Sequence, residues 1–178
     1  MDRVKGLIES YTDFPKKGVQ FRDIMPVFRD PEAYTSLLVA LQNRISALAP
    51  DCAGLVGTES RGFMLAAPLA IRMKLPFIPL RKPGKLPGHV FQKSFEKEYG
   101  KDTLEVQAAA IEKGKRYVIL DDLLATGGTL KAACDIIKDC EAMIFLLKAC
   151  CRPPGFPLKF CPDSLPQRGR QEKIILNK

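Results

Sequence analysis

The chain has 178 residues, of which 46% are hydrophobic and 27% charged, and its formal net charge is +8. This size and balance fit one soluble domain with a full-sized core. No apolar run approaches the length of a membrane span, and residues 1–10 lack the continuous apolar region of a secretory signal. We therefore expect a cytoplasmic protein without a membrane partner.

Six cysteines and a single histidine, His89, limit the metal chemistry of the chain. The cysteines are Cys52, Cys134, Cys140, Cys150, Cys151 and Cys161. None of them forms a C-x-x-C pair, so the pattern favours free thiols in a reducing compartment over a zinc site. The +8 charge indicates affinity for anions.

Two helices are predicted in the first third of the chain. A short amphipathic helix is indicated by the helical spacing of Val4, Leu7, Ile8 and Tyr11. A longer helix is predicted to begin after Asp30, because an aspartate cap is followed by Pro31 at the first helical position. Its apolar face consists of Tyr34, Leu37, Leu38, Leu41, Ile45 and Leu48.

Short apolar runs alternate with helical patterns along the rest of the chain. The runs predicted to be buried strands are 53–56, 77–80, 117–120 and 142–147. A Gly-rich turn at 57–63 leads into a helix that continues to about Met73 and contains Pro68. Such a turn between strand and helix is an anion site. The alternation predicts an α/β fold with a largely parallel central sheet flanked by helices.

The stretch 117–130, YVILDDLLATGGTL, combines an apolar strand, two carboxylates, a small-residue loop and the start of a helix. Gly127 and Gly128 permit backbone angles that bring successive N–H groups onto one phosphate. Thr126 and Thr129 add hydroxyl donors, and the helix adds its free N–H groups and positive dipole end. This layout predicts a phosphate site at the carboxyl edge of the sheet.

Asp121 and Asp122 cannot bind that phosphate, because like charges repel. They are suited to accept hydrogen bonds from sugar hydroxyls or to help hold a hydrated Mg2+, so the site fits a ribose 5-phosphate. The loop has no lysine for a Walker A site and no G-x-G-x-x-G pattern. A plain, tight βα turn would need neither the two aspartates nor the two threonines.

The segment VILDDLLATGGTL resembles the phosphoribosyl-pyrophosphate (PRPP) signature of the type I phosphoribosyltransferases, and DDLLATGGT is most similar to the members that use adenine. Four more stretches agree: DFPKKGVQFRDI at 13–24, ESRGF at 59–63, RKPGKLPG at 81–88 and EKEYGK at 96–101. The resemblance implies the type I fold in a single domain over 1–150, with an N-terminal hood at about 1–28 and a mobile lid loop at about 81–100.

The resemblance implies a glycosyltransferase of the pentosyltransferase class that converts adenine and PRPP to AMP and pyrophosphate in purine salvage. Mg2+ would be carried by PRPP and not bound directly by the protein. Arg61 would contact the leaving pyrophosphate, next to a Glu59–Ser60 peptide that is often cis in the family. The residues assigned to PRPP and AMP are Asp121, Asp122, Ala125, Thr126, Gly127, Gly128, Thr129, Lys82, Lys85 and Ser60. By composition alone the segment 81–88 is a solvated basic loop.

The base site is implied by the same resemblance. Phe21 would stack on adenine, which is worth ~1–3 kcal/mol per base, and backbone groups around Gln20 and Arg22 would contact its edge. By residue type alone Phe21 is a core residue. Glu98, Arg61 and Tyr99 would be the catalytic residues: Glu98 would face N7 of the base, and Tyr99 would help to close the lid. Family members are commonly homodimers, so we expect a homodimer.

The resemblance decays after Asp139. Five prolines lie between Pro153 and Pro166, and the segment 152–178 carries six Lys/Arg against two Asp/Glu. We therefore expect a divergent, Pro-rich basic tail over 151–178. Three hypotheses remain: a type I phosphoribosyltransferase that uses adenine, one that uses another purine or orotate, and a catalytically impaired member of the fold that binds nucleotides or RNA. The chain lacks aromatics interleaved with Lys/Arg, so we do not expect nucleic acid as a partner.

Overall fold

The computed structural model describes residues 1–14, 17–97, 100–122 and 128–148. Within these ranges the α-helices are α1 (Asp2–Leu7), α2 (Met25–Arg29), α3 (Pro31–Leu48), α4 (Arg61–Met73) and α5 (Gly128–Asp139). The strands are β1 (Glu9–Thr12), β2 (Gln20–Asp23), β3 (Cys52–Thr58), β4 (Phe77–Leu80), β5 (Val90–Lys97), β6 (Gly100–Gln107), β7 (Arg116–Asp121) and β8 (Met143–Lys148). No helix in the described ranges is long and apolar enough to cross a membrane.

The central sheet has four parallel strands in the order β4-β3-β7-β8. Successive side chains of a strand point to opposite faces, and both faces of this sheet are covered. Leu55 and Val118 belong to the core that includes α3 and α4, whereas Val56 and Ile119 belong to the core that includes α5 and the β5–β6 hairpin. The predicted α/β fold, with a largely parallel sheet between helices, is confirmed.

Capping of α3 also agrees with the sequence. One side-chain oxygen of Asp30, Oδ1, accepts hydrogen bonds from the backbone N–H groups of Glu32 (3.1 Å) and Ala33 (3.0 Å). Pro31 occupies the first helical position. Pro68 lies inside α4, as the sequence predicts.

The N-terminal helix is shorter than its apolar spacing predicts. It ends at Leu7, and Ile8 has extended backbone angles. Tyr11, which the spacing placed on the helix, lies on β1 opposite Phe21 of β2 and is 47% exposed. Pairing of β1 with β2 satisfies backbone groups that a further helical turn would otherwise have satisfied, so tertiary pairing overrides the local pattern here.

The segment predicted as a lid has two structural parts. Residues 81–88 form a basic loop, and Val90–Lys97 is the first strand of an antiparallel hairpin with Gly100–Gln107. The backbone of Arg81 pairs with that of Glu105 on the second hairpin strand, through N···O distances of 3.0 and 2.8 Å. The loop is thus tied to β6 where it leaves β4.

Register places three loops at one edge of the sheet. Thr58 of β3 lies opposite Leu80 of β4, and Gly57 lies opposite Leu120 of β7. Because the strands are parallel, their carboxyl ends meet at the same edge. The acidic pair, the start of α4 and the basic loop therefore converge although they are far apart in sequence.

Candidate active site

An acidic pair at the end of β7 forms the centre of the site. Asp121 is the last residue of the strand and is half-buried, and Asp122 follows it and is only 3% exposed. The backbone N–H of Asp122 donates to Oδ1 of Asp121 at 2.9 Å. The Nε–H of Arg61 donates to Oδ2 of Asp122 at 2.6 Å, which makes a charge-assisted bond between the first residue of α4 and the residue after β7.

Close backbone packing brings Arg61 to this position. Arg61 begins α4, and the next residue, Gly62, lies directly over the neighbouring strands. A Cβ atom at Gly62 would be 2.6 Å from the carbonyl oxygen of Leu120 and 2.6 Å from Oγ1 of Thr58. Such distances leave no space for a side chain. Because Gly62 has none, α4 and its N–H groups can lie close to the acidic pair.

The two aspartates are not equivalent electrostatically. Burial, and then the neighbouring charge of Asp122, raise the pKa of Asp121 to about 7. Asp122 faces the guanidinium of Arg61, whereas Asp121 lies beside another carboxylate. The pair therefore holds one carboxylate matched by a cation and one that takes up a proton near neutral pH.

Asp121→Asn is expected to change the pH dependence of stability. A carboxyl group whose pKa is higher in the folded state stabilises the fold at low pH, and that stabilisation is lost as pH rises through the folded-state pKa of about 7. Asparagine stays neutral at every pH. The free energy of unfolding of the variant, relative to that of the wild type, should therefore rise by about 1–3 kcal/mol as the pH increases from about 5 to about 8. Urea unfolding of the ligand-free proteins at several pH values measures this difference.

Asp139→Asn provides the control for this measurement. The Asp139 carboxylate is 46% exposed and pairs with Lys93 on the surface, so its removal should leave a pH-independent difference of at most about 1 kcal/mol. A constant offset between wild type and Asp121→Asn across the pH range would contradict the raised pKa.

One buried oxygen of the site, Oδ1 of Asp122, has no hydrogen-bond partner among the described residues. A buried polar atom without a partner costs free energy. A hydroxyl group of a bound sugar, or a water molecule of a hydrated Mg2+, would donate a hydrogen bond to this carboxylate oxygen. The donor set thus fits a metal–sugar ligand. No group of three or more His, Cys, Asp or Glu in the described ranges has a metal-binding arrangement.

Glu59 connects the start of α4 with the basic loop. Its Oε2 accepts from Nε of Arg81 at 3.3 Å and from the backbone N–H of Lys82 at 3.1 Å. The Lys82 N–H bond, and after it Arg81, hold the pKa of Glu59 below its usual value. The Glu59–Ser60 peptide is cis, as the resemblance leads one to expect. The side chains of Lys82 and Lys85 are exposed.

Sequence reasoning missed Glu59 and Glu105. Glu105 is 1% exposed and accepts hydrogen bonds from the backbone N–H groups of Lys85 (2.9 Å) and Leu86 (3.0 Å). Between Leu104 and Val106, a glutamate on a strand is expected to face solvent. No signal in the sequence could have identified it, because the loop that covers it comes from a different part of the chain.

The phosphate loop is described only in part. Gly128 and Thr129, predicted as loop residues, form the first turn of α5, which places their N–H groups among the free donors of the helix N-terminus. Ala125, Thr126 and Gly127 lie outside the described residues.

The predicted base site is described only on the hood side. Gln20, Phe21 and Arg22 lie on β2, and the ring of Phe21 packs edge-on against that of Phe14 at a centroid distance of 5.1 Å. Phe21 is half-buried and Phe14 is 52% exposed, so an apolar ring surface is available in the hood. Glu98 and Tyr99, like the tail 151–178, lie outside the described residues.

Comparison with known proteins gives consistent matches. Residues 51–152 match the model of the phosphoribosyl transferase domain. The adenine phosphoribosyltransferase of Prochlorococcus marinus (strain NATL1A) is 46% identical over 138 residues, which are 78% of this chain and 79% of that protein. The adenine phosphoribosyltransferase of Desulfitobacterium hafniense (strain Y51) is 48% identical over 132 residues, 74% of this chain and 75% of that protein.

Solved structures show the same fold. The adenine phosphoribosyltransferase of Saccharomyces cerevisiae, complexed with an imino-altritol bisphosphate and adenine, superposes with a TM-score of 0.78. The two chains are 36% identical, and the match covers 83% of this chain and 86% of the yeast chain. The match to the phosphoribosyl transferase domain, over residues 51–152, includes the central sheet and α4, the elements that carry the acidic pair and Arg61.

Proposed function

We propose, from the premise that the chain belongs to the adenine phosphoribosyltransferases of the phosphoribosyl transferase domain family, that it transfers the 5-phosphoribosyl group of PRPP to adenine. The products are AMP and pyrophosphate, a reaction of purine salvage. The observation that carries this function is the acidic pair, joined to Arg61 at the edge where the strands, α4 and the basic loop converge.

Breaking the bond between C1′ and the pyrophosphate oxygen builds positive charge on the ribose and negative charge on the leaving group. Asp121 and Asp122 are suited to accept hydrogen bonds from the ribose hydroxyls and to favour the cationic sugar. The unpartnered Oδ1 of Asp122 supports this role. The N-terminus of α5, with Gly128 and Thr129, would hold the 5′-phosphate, so that remote binding energy fixes C1′ for attack.

The pyrophosphate would be stabilised by cations from two loops. Arg61 uses its Nε–H on Asp122, and a guanidinium has four further N–H donors. In our proposal Asp122 orients Arg61, and the terminal N–H groups bind the leaving group together with Lys82, Lys85 and Ser60. Mg2+, carried by PRPP, would neutralise charge that develops on the pyrophosphate.

The base would be held between the hood and the end of the hairpin. Phe21 is proposed to stack on adenine, with backbone groups of Gln20 and Arg22 at its edge. Glu98 would serve the N7 side as N9 attacks C1′, and Tyr99 would help to exclude water. These five assignments follow from the family resemblance, and the half-buried Phe21 ring on the hood supports the stacking role.

The decisive experiment is AMP formation by the purified protein with adenine, PRPP and Mg2+, run beside hypoxanthine, guanine and orotate. Product from adenine alone supports the proposal. Product from another base would assign a different phosphoribosyltransferase. No product from any base, combined with RNA binding that weakens steeply with salt, would favour a catalytically impaired member of the fold that binds RNA. That candidate rests on the net charge of +4 in residues 152–178.

We further propose a cytoplasmic homodimer. Support for an interface comes from two apolar side chains on the outer face of α4, Ile71 (81% exposed) and Met64 (37% exposed). Analytical ultracentrifugation of the full chain tests the oligomeric state, and a monomer at micromolar concentration would contradict the proposal.

A further inference from the structure

Among the described residues, the most buried carboxylate outside the acidic pair belongs to Glu105, in the middle of β6. It is 1% exposed. Its Oε1 accepts from the backbone N–H groups of Lys85 (2.9 Å) and Leu86 (3.0 Å), and its Oε2 accepts from Nε2 of Gln92 (3.3 Å). A buried carboxylate is costly unless several donors compensate it, and here the main donors are backbone groups of the basic loop.

The backbone of Glu105 holds the beginning of the same loop. Arg81 N donates to Glu105 O at 3.0 Å, and Glu105 N donates to Arg81 O at 2.8 Å. One residue thus fixes the loop before Lys82 with its backbone and after Gly84 with its side chain. Between these points Gly84 has a φ of +74°, a left-handed conformation that glycine adopts at little cost and that the turn requires.

A second carboxylate fixes the other side of this turn. Glu59, directly before Ser60 and Arg61, accepts from the backbone N–H of Lys82 at 3.1 Å. The turn that carries both lysines is therefore held between the Gly-rich turn at 57–63 and the hairpin. An exposed loop has no need of a buried acceptor, because water satisfies its N–H groups. What the buried acceptor adds is a fixed path for the backbone at Lys82 and Lys85.

We propose that Glu105 is a positioning residue for the transfer reaction. This role rests on the proposed function. The side chain of Glu105 holds the turn 82–86, and this places the ammonium groups of Lys82 and Lys85 for the pyrophosphate of PRPP before the substrate binds. Positioning in advance lowers the entropy cost of binding. The reach of the side chain is the main requirement, since both contacts to the loop are made at Oε1, an acceptor that a glutamine of the same length also provides.

Two substitutions separate reach from charge. Glu105→Asp keeps the charge but withdraws the carboxylate by about 1.5 Å, one carbon–carbon bond. Glu105→Gln keeps the length and one acceptor oxygen. We expect E105D to raise KM for PRPP about tenfold, the scale at which a displaced binding group is felt, with KM for adenine changed less than about twofold. E105Q should restore KM for PRPP to within about threefold of the wild type.

Thr103→Val is the matched control on the same strand. Its Oγ1 lies 2.9 Å from Oγ of Ser94 across the hairpin and makes this contact away from the basic loop. T103V should leave both KM values unchanged. A purely structural role of Glu105 would lower the melting temperature and the active fraction, hence kcat, with both KM values unchanged in E105D, and that result would overturn the proposal. So would a larger defect in E105Q than in E105D.

Binding of Mg-pyrophosphate, measured by calorimetry, keeps the inference testable apart from turnover. If the wild-type protein forms no AMP, the proposed function fails. Weaker pyrophosphate binding by E105D than by E105Q would still support the positioning role. Equal binding by wild type, E105D and E105Q would contradict it, whether or not AMP is formed.

Discussion

The double substitution Asp121→Asn, Asp122→Asn is expected to lower kcat for AMP formation by about 10³-fold, because lost electrostatic stabilisation of a transition state typically costs that much. Asparagine keeps the size of each side chain but removes the negative charge that favours a cationic ribose. It also removes the carboxylate that receives the Nε–H of Arg61 at 2.6 Å. Steady-state kinetics with saturating PRPP and adenine measure the loss.

Stability should change far less than activity in this variant. Loss of the Arg61–Asp122 ion pair is destabilising, whereas relief of repulsion at Asp121, whose pKa is raised by burial and by Asp122, acts in the opposite direction. The melting temperature should therefore shift by only a few degrees, and Asp139→Asn should retain full turnover. A double variant with the wild-type rate would show that the acidic pair has no role in ribose chemistry.

Gly62→Ala is expected to destabilise the fold more than an alanine at Gly54 or Gly57, where the added Cβ would be 3.0 Å and 2.9 Å from its nearest neighbour. The added Cβ would be 2.6 Å from the carbonyl oxygen of Leu120 and 2.6 Å from Oγ1 of Thr58. The first of these is main chain of the central strand β7, so α4 must move away from the sheet. Overpacking of this kind costs about 3 kcal/mol, or roughly 6–12 °C in melting temperature for a domain of this size.

The same movement would displace Arg61 from Asp122, so Gly62→Ala should lose activity even at temperatures where it stays folded. Gly6→Ala is the matched control: Gly6 lies in α1 and a Cβ there meets no atom within 4 Å, so alanine should stabilise the protein by up to about 1 kcal/mol. Circular dichroism melting of the three proteins tests both expectations. An unchanged melting temperature for Gly62→Ala would mean that α4 tolerates a wider spacing from the sheet.

The parallel sheet could be predicted from sequence because its signals are local. The run at 77–80 matches β4 residue for residue, and the capped start of α3 at Asp30 needs only the three residues after it. The acidic pair was equally recognisable, since Asp121 and Asp122 directly follow the apolar run 117–120, which forms part of β7. Local patterns failed where distant segments pair, as at Tyr11, which helical spacing placed on α1 and strand pairing places on β1.

By itself the sequence determined the α/β class, the order of most elements and the residues that we propose as the site for a phosphorylated ribose, because burial periodicity, caps and the Gly-rich segment act over a few residues. Tertiary structure alone decided which of those residues meet. The bond from Arg61 to Asp122 spans 61 positions, and Glu105 reaches Lys85 across 20. Such contacts depend on strand register and on the close approach of α4 at Gly62. Neither the strand register nor this close approach can be predicted from an isolated segment, because both arise only when separate segments bury their apolar faces against one another.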